Sequence, residues 1–209
     1  MSRLIYKKIK RLLDIFCAIL AIPFFLPPIC IFGFLVFCSD FSNPIYISRR
    51  AGKSGKKFNF YKLRTMHPRP KFHEKAKYDY LYNFKLGRWM RSFSIDELPQ
   101  IWNIIKGDLS FVGPRPLLPE YLPLYTDEQY KRNNVRPGLT GLAQVKGRNL
   151  LSWEKRLSLD SWYSTNYSFV VDFKIILKTF FVVLTRKGIN FNKSITMEPF
   201  KGSSEIQKD

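Results

Sequence analysis

Residues 15–39 read IFCAILAIPFFLPPICIFGFLVFCS, from Ile15 to Ser39, without one charged side chain. About twenty apolar residues suffice to cross the hydrocarbon core of a bilayer, so a membrane helix is the first expectation. The run exceeds the roughly 7–15-residue apolar region of a secretory signal, and no A-x-A-like cleavage site follows it. Its interior carries Pro23, Pro27 and Pro28. Each proline removes a backbone donor and crowds the preceding turn, which predicts a bend at Pro27-Pro28. Arg3, Lys7, Lys8, Lys10 and Arg11 precede the run, and Arg49, Arg50, Lys53, Lys56 and Lys57 follow it. Lys and Arg beside membrane segments stay cytoplasmic. Equal positive charge at both ends therefore predicts a helix-break-helix that enters one leaflet and returns, with a kinked single span as the competing topology.

The whole chain of 209 residues is basic, with 35 Lys+Arg against 16 Asp+Glu and a net charge of +19. That length predicts one domain with a real core. The charge points to polyanionic partners: nucleic acid, anionic membrane lipids or phosphorylated substrates. A membrane-attached nucleic-acid-binding protein is thus the rival class. Against it, the aromatics gather in apolar runs and are not interleaved with basic residues as stacking platforms are. Cys17, Cys30 and Cys38 lie inside the apolar run at spacings that match no metal site and read as small buried hydrophobes. A second apolar stretch, Phe169 to Leu184, is interrupted by Asp172, Lys174 and Lys178. As a helix it fits either an interfacial element with lysines directed at lipid phosphates or a core element with one wet stripe.

Between these stretches, Ile45 to Ser48 and Phe58 to Leu63 are β-prone runs around a Gly52-to-Lys57 connection, which predicts a hairpin. Residues 67–80 read as a charged and polar loop, and Leu81 to Arg91 leads into the helix that starts near Asp96. Leu98, Ile101, Trp102 and Ile105 form one apolar stripe of a helix that Gly107 ends. Thr126-Asp-Glu-Gln129 is a capping box, and Trp153 to Tyr163 is another helix. The fold class expected is mainly α with a small β-hairpin. Residues 1–40 form a re-entrant anchor and 41–189 a cytosolic catalytic core with interfacial helices. Residues 190–209 form a loosely ordered tail.

Chemistry concentrates in residues 94–116, SIDELPQIWNIIKGDLSFVGPRP. Asp96 and Glu97 are adjacent carboxylates at a helix start. Ser94-x-x-Glu97 is formally a capping box, and Pro99 moves the helix start toward Asp96, itself a good N-cap. Capping alone accounts for both. The wider setting favours chemistry: a helix start tolerates an anion and receives phosphate. Arginines recur beside stiff residues, with Arg88 and Arg91 before the helix, Arg115 between prolines, Arg136 before Pro137, and Arg148 after Gly147. A guanidinium fork suits phosphate oxygens, and proline or glycine beside it fixes its aim.

With these residues in view, the chain resembles the bacterial monotopic phosphoglycosyl transferases in their minimal catalytic-core form. The likeness runs through Lys10-Arg-Leu-Leu-Asp14, Tyr61-Lys-Leu-Arg-Thr-Met66, the 94–116 block, Val135-Arg-Pro-Gly-Leu-Thr-Gly141, Gly147-Arg-Asn149 and Trp153 through Asp160. One departure is Leu26, where family members often carry a serine before the proline of the membrane break. Leu26 offers no hydrogen bond to a freed carbonyl.

The resemblance implies a membrane enzyme of the cytosolic face of the bacterial inner membrane. It would move a phosphosugar from a UDP-sugar to polyprenyl phosphate and release UMP through a covalent Asp96 intermediate. It further implies Mg2+ held with Asp96 and Glu97, and phosphate contacts from Arg91, Arg115, Arg148 and Arg136. Anionic lipids are expected partners and nucleic acid is not. The sugar is not readable from these residues.

Overall fold

A computed structural model describes residues 3–67, 84–147, 150–185 and 199–203. Its first element, helix α1 (Arg3–Asp40), contains Pro23, Pro27 and Pro28 without a break in helical structure. The expected helix-break-helix is corrected on this point. Each proline deletes only its own donor, while the bonds of the flanking turns persist. An opened turn among apolar groups would leave carbonyls without water. By length and composition α1 is able to cross a membrane.

One side of α1 faces the body of the molecule: Ala18 and Val36 are fully buried. The other side is bare, with Phe16, Phe24 and Phe34 exposed. Cys17, Cys30 and Cys38 are exposed too, so they are not the buried hydrophobes expected. They sit on the face that an apolar solvent would cover. Both ends of α1 are fastened to the same body. Near its start, Lys10 Nζ pairs with Asp172 at 2.6 Å and Arg11 donates to the Ile104 and Ile105 carbonyls at 2.7 and 3.0 Å. At its end, Asp40 accepts two bonds of 2.5 Å from the Arg64 guanidinium.

Strands β1 (Ile45–Ala51) and β2 (Lys57–Leu63) form the expected antiparallel hairpin, with Ser48 opposite Phe60. Helix α2 (Lys85–Ser92) follows, and residues 68–83, which hold nearly all of the expected loop, lie outside the described residues. A 3-10 turn over Ile95–Gln100 then runs into α3 (Ile101–Lys106). Gly107 closes α3 with φ of 95°, a left-handed conformation that glycine adopts without a Cβ clash. Ile101 is buried as the stripe requires, whereas Trp102 faces outward at 53 % exposure.

Strand β3 (Ser110–Val112) pairs in parallel with β4 (Gly138–Thr140), a second β element absent from the sequence reading. Three residues per strand are too few to show a period. Between them, α4 (Asp127–Tyr130) opens on Thr126, whose hydroxyl accepts from Gln129 N–H while Gln129 Oε1 accepts from Thr126 N–H. The capping box is real. Helices α5 (Leu142–Lys146), α6 (Trp153–Asn166) and α7 (Phe169–Leu184) complete the body.

The core is built where α1, β2 and α3 meet, around Ala18, Phe60, Ile101, Ile104 and Leu109. Full burial of such a side chain contributes roughly 1.5–3 kcal/mol. On α7 only Asp172 and Ile175 are buried, while Phe173, Phe180, Phe181 and Leu184 are exposed. A core helix would bury those four, so the core alternative for this segment does not hold. Of the tail expected to be loose, residues 199–203 are packed. Phe200 fills a socket of Tyr121, Tyr125, Trp153 and Leu157, and Ser203 accepts from Gln129 Nε2 at 2.6 Å. An aromatic side chain worth burying explains the correction.

Candidate active site

Ser94 takes a left-handed backbone, φ 58° and ψ 23°, and its side chain caps nothing. A non-glycine residue in that region is uncommon and carries strain. The turn it starts lifts Asp96 and Glu97 out of the capping role. Glu97 Oε1 accepts from Lys62 Nζ at 2.6 Å and from Arg115 Nη2 at 2.7 Å. Lys62 Nζ also lies 3.6 Å from Asp96 Oδ2. The capping explanation for this pair is therefore replaced by a charge network.

The two carboxylates are electrically different. Burial pushes the Asp96 carboxyl above its ordinary range; Lys62 opposes this, Glu97 adds to it, and Arg91 and Arg115 oppose it more weakly. Burial acts on Glu97 in the same sense, but Arg115 and Lys62 outweigh it and hold Glu97 well below the usual carboxylate range. Adjacent residues thus split into a firmly ionised anchor and a poorly solvated carboxylate whose charge is costly.

The cations come from separate elements. Lys62 is on β2, and Arg91, near the end of α2, donates from Nε to Thr65 Oγ1 at 2.7 Å. Arg115 follows β3, where Gly113 N–H bonds the Thr140 carbonyl and Gly138 N–H bonds the Pro114 carbonyl, both at 2.9 Å. The two loops cross so closely that a Cβ on Gly138 would lie 2.0 Å from Gly113 N. Only glycine fits there. Behind Arg115, the buried Arg132 donates from Nη2 to the Arg115 carbonyl at 2.6 Å and to Asp160 Oδ2 at 2.9 Å. Asp160 belongs to α6, so a buried ion pair holds the backbone of a site cation.

Lys62, Arg91, Asp96, Glu97 and Arg115 line a cavity of about 1040 Å³ that also takes in Arg156 and Asp160. Leu13, Cys17 and Phe25 of α1 and Phe173, Ile176 and Phe180 of α7 add apolar wall, beside Lys10, Asp14 and Asp172 of the same two helices. Charged and apolar walls in one cavity suit an amphiphile. Among the described residues no group of three or more His, Cys, Asp or Glu could hold a metal ion. Two adjacent carboxylates still fit Mg2+, which is commonly held by one or two carboxylates with water and substrate phosphates completing its shell.

Of the residues expected from sequence, Asp96, Glu97, Arg91 and Arg115 converge on this cavity. Arg136 does not: its Nε donates to the Gly107 carbonyl at 2.9 Å, and it lines a different cavity. The proline and glycine beside it serve the loop crossing, which is the physical reason for the correction. Arg148 lies outside the described residues. Lys62, Arg132 and Asp160 were missed. Lys62 and Asp160 stand in quoted motifs, and a charged residue in an apolar strand or helix was the available signal.

A family model described as "Bacterial sugar transferase" matches residues 5–186. The chain is 44% identical over 199 residues to the "Uncharacterized sugar transferase EpsL" of Bacillus subtilis, covering 95% of this chain and 98% of that one. It is 36% identical over 197 residues to the "Undecaprenyl-phosphate galactose phosphotransferase" of Salmonella typhimurium, covering 86% of this chain and 41% of that one. The "UDP-galactose-lipid carrier transferase" of Erwinia amylovora is 38% identical over 197 residues, with coverage of 86% and 41%. The chain therefore spans nearly all of the first relative and about two fifths of the other two.

Proposed function

This chain belongs to the bacterial sugar transferase family, and on that premise we propose that it moves a phosphosugar from a UDP-sugar to polyprenyl phosphate with Asp96 as nucleophile. The single observation carrying the reading is the convergence of Lys62, Arg91 and Arg115 with Asp96 and Glu97 on one cavity that α1 and α7 also wall with apolar side chains. In the first step an Asp96 oxygen bonds the β-phosphorus, the bond to the bridging oxygen breaks, and UMP departs with that electron pair. In the second, an oxygen of polyprenyl phosphate bonds the same phosphorus and the Asp96 carboxylate is regenerated. Lys62, Arg91 and Arg115 offset charge on the phosphoryl oxygens throughout. Asp96 and Glu97 would hold Mg2+, which supplies further charge compensation when bound.

The Leu, Phe and Ile side chains that α1 and α7 contribute to this cavity suit the polyprenyl chain. The exposed apolar faces of α1 and α7 call for a lipid surround, and half-exposed Trp89, Trp102 and Trp162 suit its interfacial belt. In this reading the lysines of α7 meet anionic lipids. Attachment of both ends of α1 to one body supports a re-entrant anchor that keeps that body on the cytosolic face of the inner membrane. Cysteine reporters at positions 2 and 54 then react only from the cytoplasm. Labelling of position 2 from outside alone would make α1 a span.

UMP release is measured across a panel of UDP-sugars with undecaprenyl phosphate present. Donor alone is expected to leave a sugar-phosphoryl mass on the wild-type chain and none on Asp96→Asn. Substantial turnover by a clean Asp96→Asn preparation would remove the nucleophile assignment.

A further inference from the structure

A second, small cavity of about 30 Å³ lies at the start of α1, lined by Lys7, Lys10, Arg11, Lys53 and Arg136 against a single carboxylate, Asp14. Two of these charges already have partners: Lys10 pairs with Asp172, and Asp14 accepts from Phe111 N–H at 3.1 Å. Arg11 and Arg136 meet only neutral acceptors in this network, the carbonyls of Ile104, Ile105 and Gly107 at the end of α3. Among the described residues no ion pair involves Lys7, Arg11, Lys53 or Arg136.

Like charges are nevertheless drawn together here. Lys53 reaches the cavity from the tip of the β1–β2 hairpin, and Lys7 from α1. Burial, and then Lys7 and Arg136 beside it, push the Lys53 ammonium below its ordinary range. Four cations answered only by Asp14, and by Asp108 at Arg11, repel one another at a cost an anion would reduce. A solvated lysine face would let these side chains spread apart. Here the two guanidiniums are tethered to a helix end, and each carries five N–H donors, more than those bonds use.

We infer that Lys7, Arg11, Lys53 and Arg136 bind a phosphate group, separately from the site at Asp96. The lipid headgroup as its source rests on the reading in which α1 lies in one leaflet. Lys7 precedes the first residue of the apolar run, Ile15, by eight positions, a rise of about 12 Å along a helix, which sets the cavity at headgroup depth.

The full chain in neutral detergent is titrated with dioctanoyl phosphatidylglycerol, and separately with inorganic phosphate against chloride at equal ionic strength. Native mass spectrometry and thermal midpoint read the binding. Each of Lys7→Gln and Lys53→Gln should weaken phosphatidylglycerol binding about fivefold, the effect of about one lysine at an anionic surface. Lys8→Gln, exposed and outside the cavity, should stay within about twofold. Inorganic phosphate binding as well as the lipid, with the same sensitivity, would keep the site and make free phosphate its ligand. Wild type and both variants binding alike, or binding neither probe, overturns the site. Should Lys53→Gln fail to fold, Lys53→Arg carries the test, since retained charge must retain binding. UMP release is followed in parallel. A phosphate site intact in a chain that never releases UMP would sink the catalytic reading alone.

Discussion

Two cationic clusters lie close together in this molecule, and they differ in what answers their charge. Lys62, Arg91 and Arg115 face Asp96 and Glu97, so that cluster arrives with its own anions. Lys7, Lys53, Arg11 and Arg136 outnumber the carboxylates near them, Asp14 and Asp108, and otherwise meet carbonyls and one another. The first arrangement suits turnover: a phosphate enters by sharing cations that a carboxylate already holds, and it leaves without stranding them. The second suits residence, because departure of its anion restores repulsion. On the two proposals above, the same residue types would serve chemistry in one place and attachment in the other.

The sharpest way to break that comparison is Asp96→Asn, which should lower UMP release by at least about 10⁴-fold with the fold retained. A residual rate near wild type would place the chemistry elsewhere. Asp160→Asn comes next. It leaves Arg132 buried without its counter-charge, and unfolding in denaturant should show a loss of about 3–5 kcal/mol. Turnover should fall with it as the Arg115 carbonyl loses its anchor. An unchanged midpoint would mean that the pair is not buried as described.

Arg115→Ala should lower turnover by about 10²–10³-fold, as expected when a donor to developing charge is lost. Arg136→Ala should act mainly on stability, by about 1 kcal/mol, through its bond to Gly107. Equal effects of the two on turnover would merge the clusters into one site.

The smallest effect is thermal. Because burial raises the folded-state pKa of Asp96, its ionised form burdens the fold at neutral pH, and the burden vanishes below about pH 4, where the carboxyl is protonated folded or unfolded. Asp96→Asn should therefore raise the melting midpoint at pH 7.5, a gain that fades on acidification. Glu97 carries the opposite sign. Its depressed pKa gives stability that is present above the ordinary carboxylate value and lost as pH falls through the folded value. Glu97→Gln should thus lower the midpoint at pH 7.5.

How much of this was legible in the sequence follows from how local each signal is. The apolar run of α1, the hairpin and the Thr126 capping box depend on neighbours within a few residues, and they stood in the sequence. Asp96 and Glu97 did as well, because adjacency is itself local. Lys62 did not: it meets Glu97 across 35 positions, through a strand register that no short window holds. Arg136 misled for the related reason that stiff flanking residues signal a constrained backbone without saying what constrains it. Phe200 sits among polar residues, and nothing near it announces the aromatic socket on the far side of the chain.

The fastening of α1 at Lys10 and Arg11 on one side and at Asp40 on the other has a consequence for where this protein works. Under the re-entrant topology proposed above, the helix has no opposite headgroup layer to reach, so bilayer thickness is no ruler for it. Shortening or lengthening the acyl chains of the host membrane should matter far less to it than to a true span.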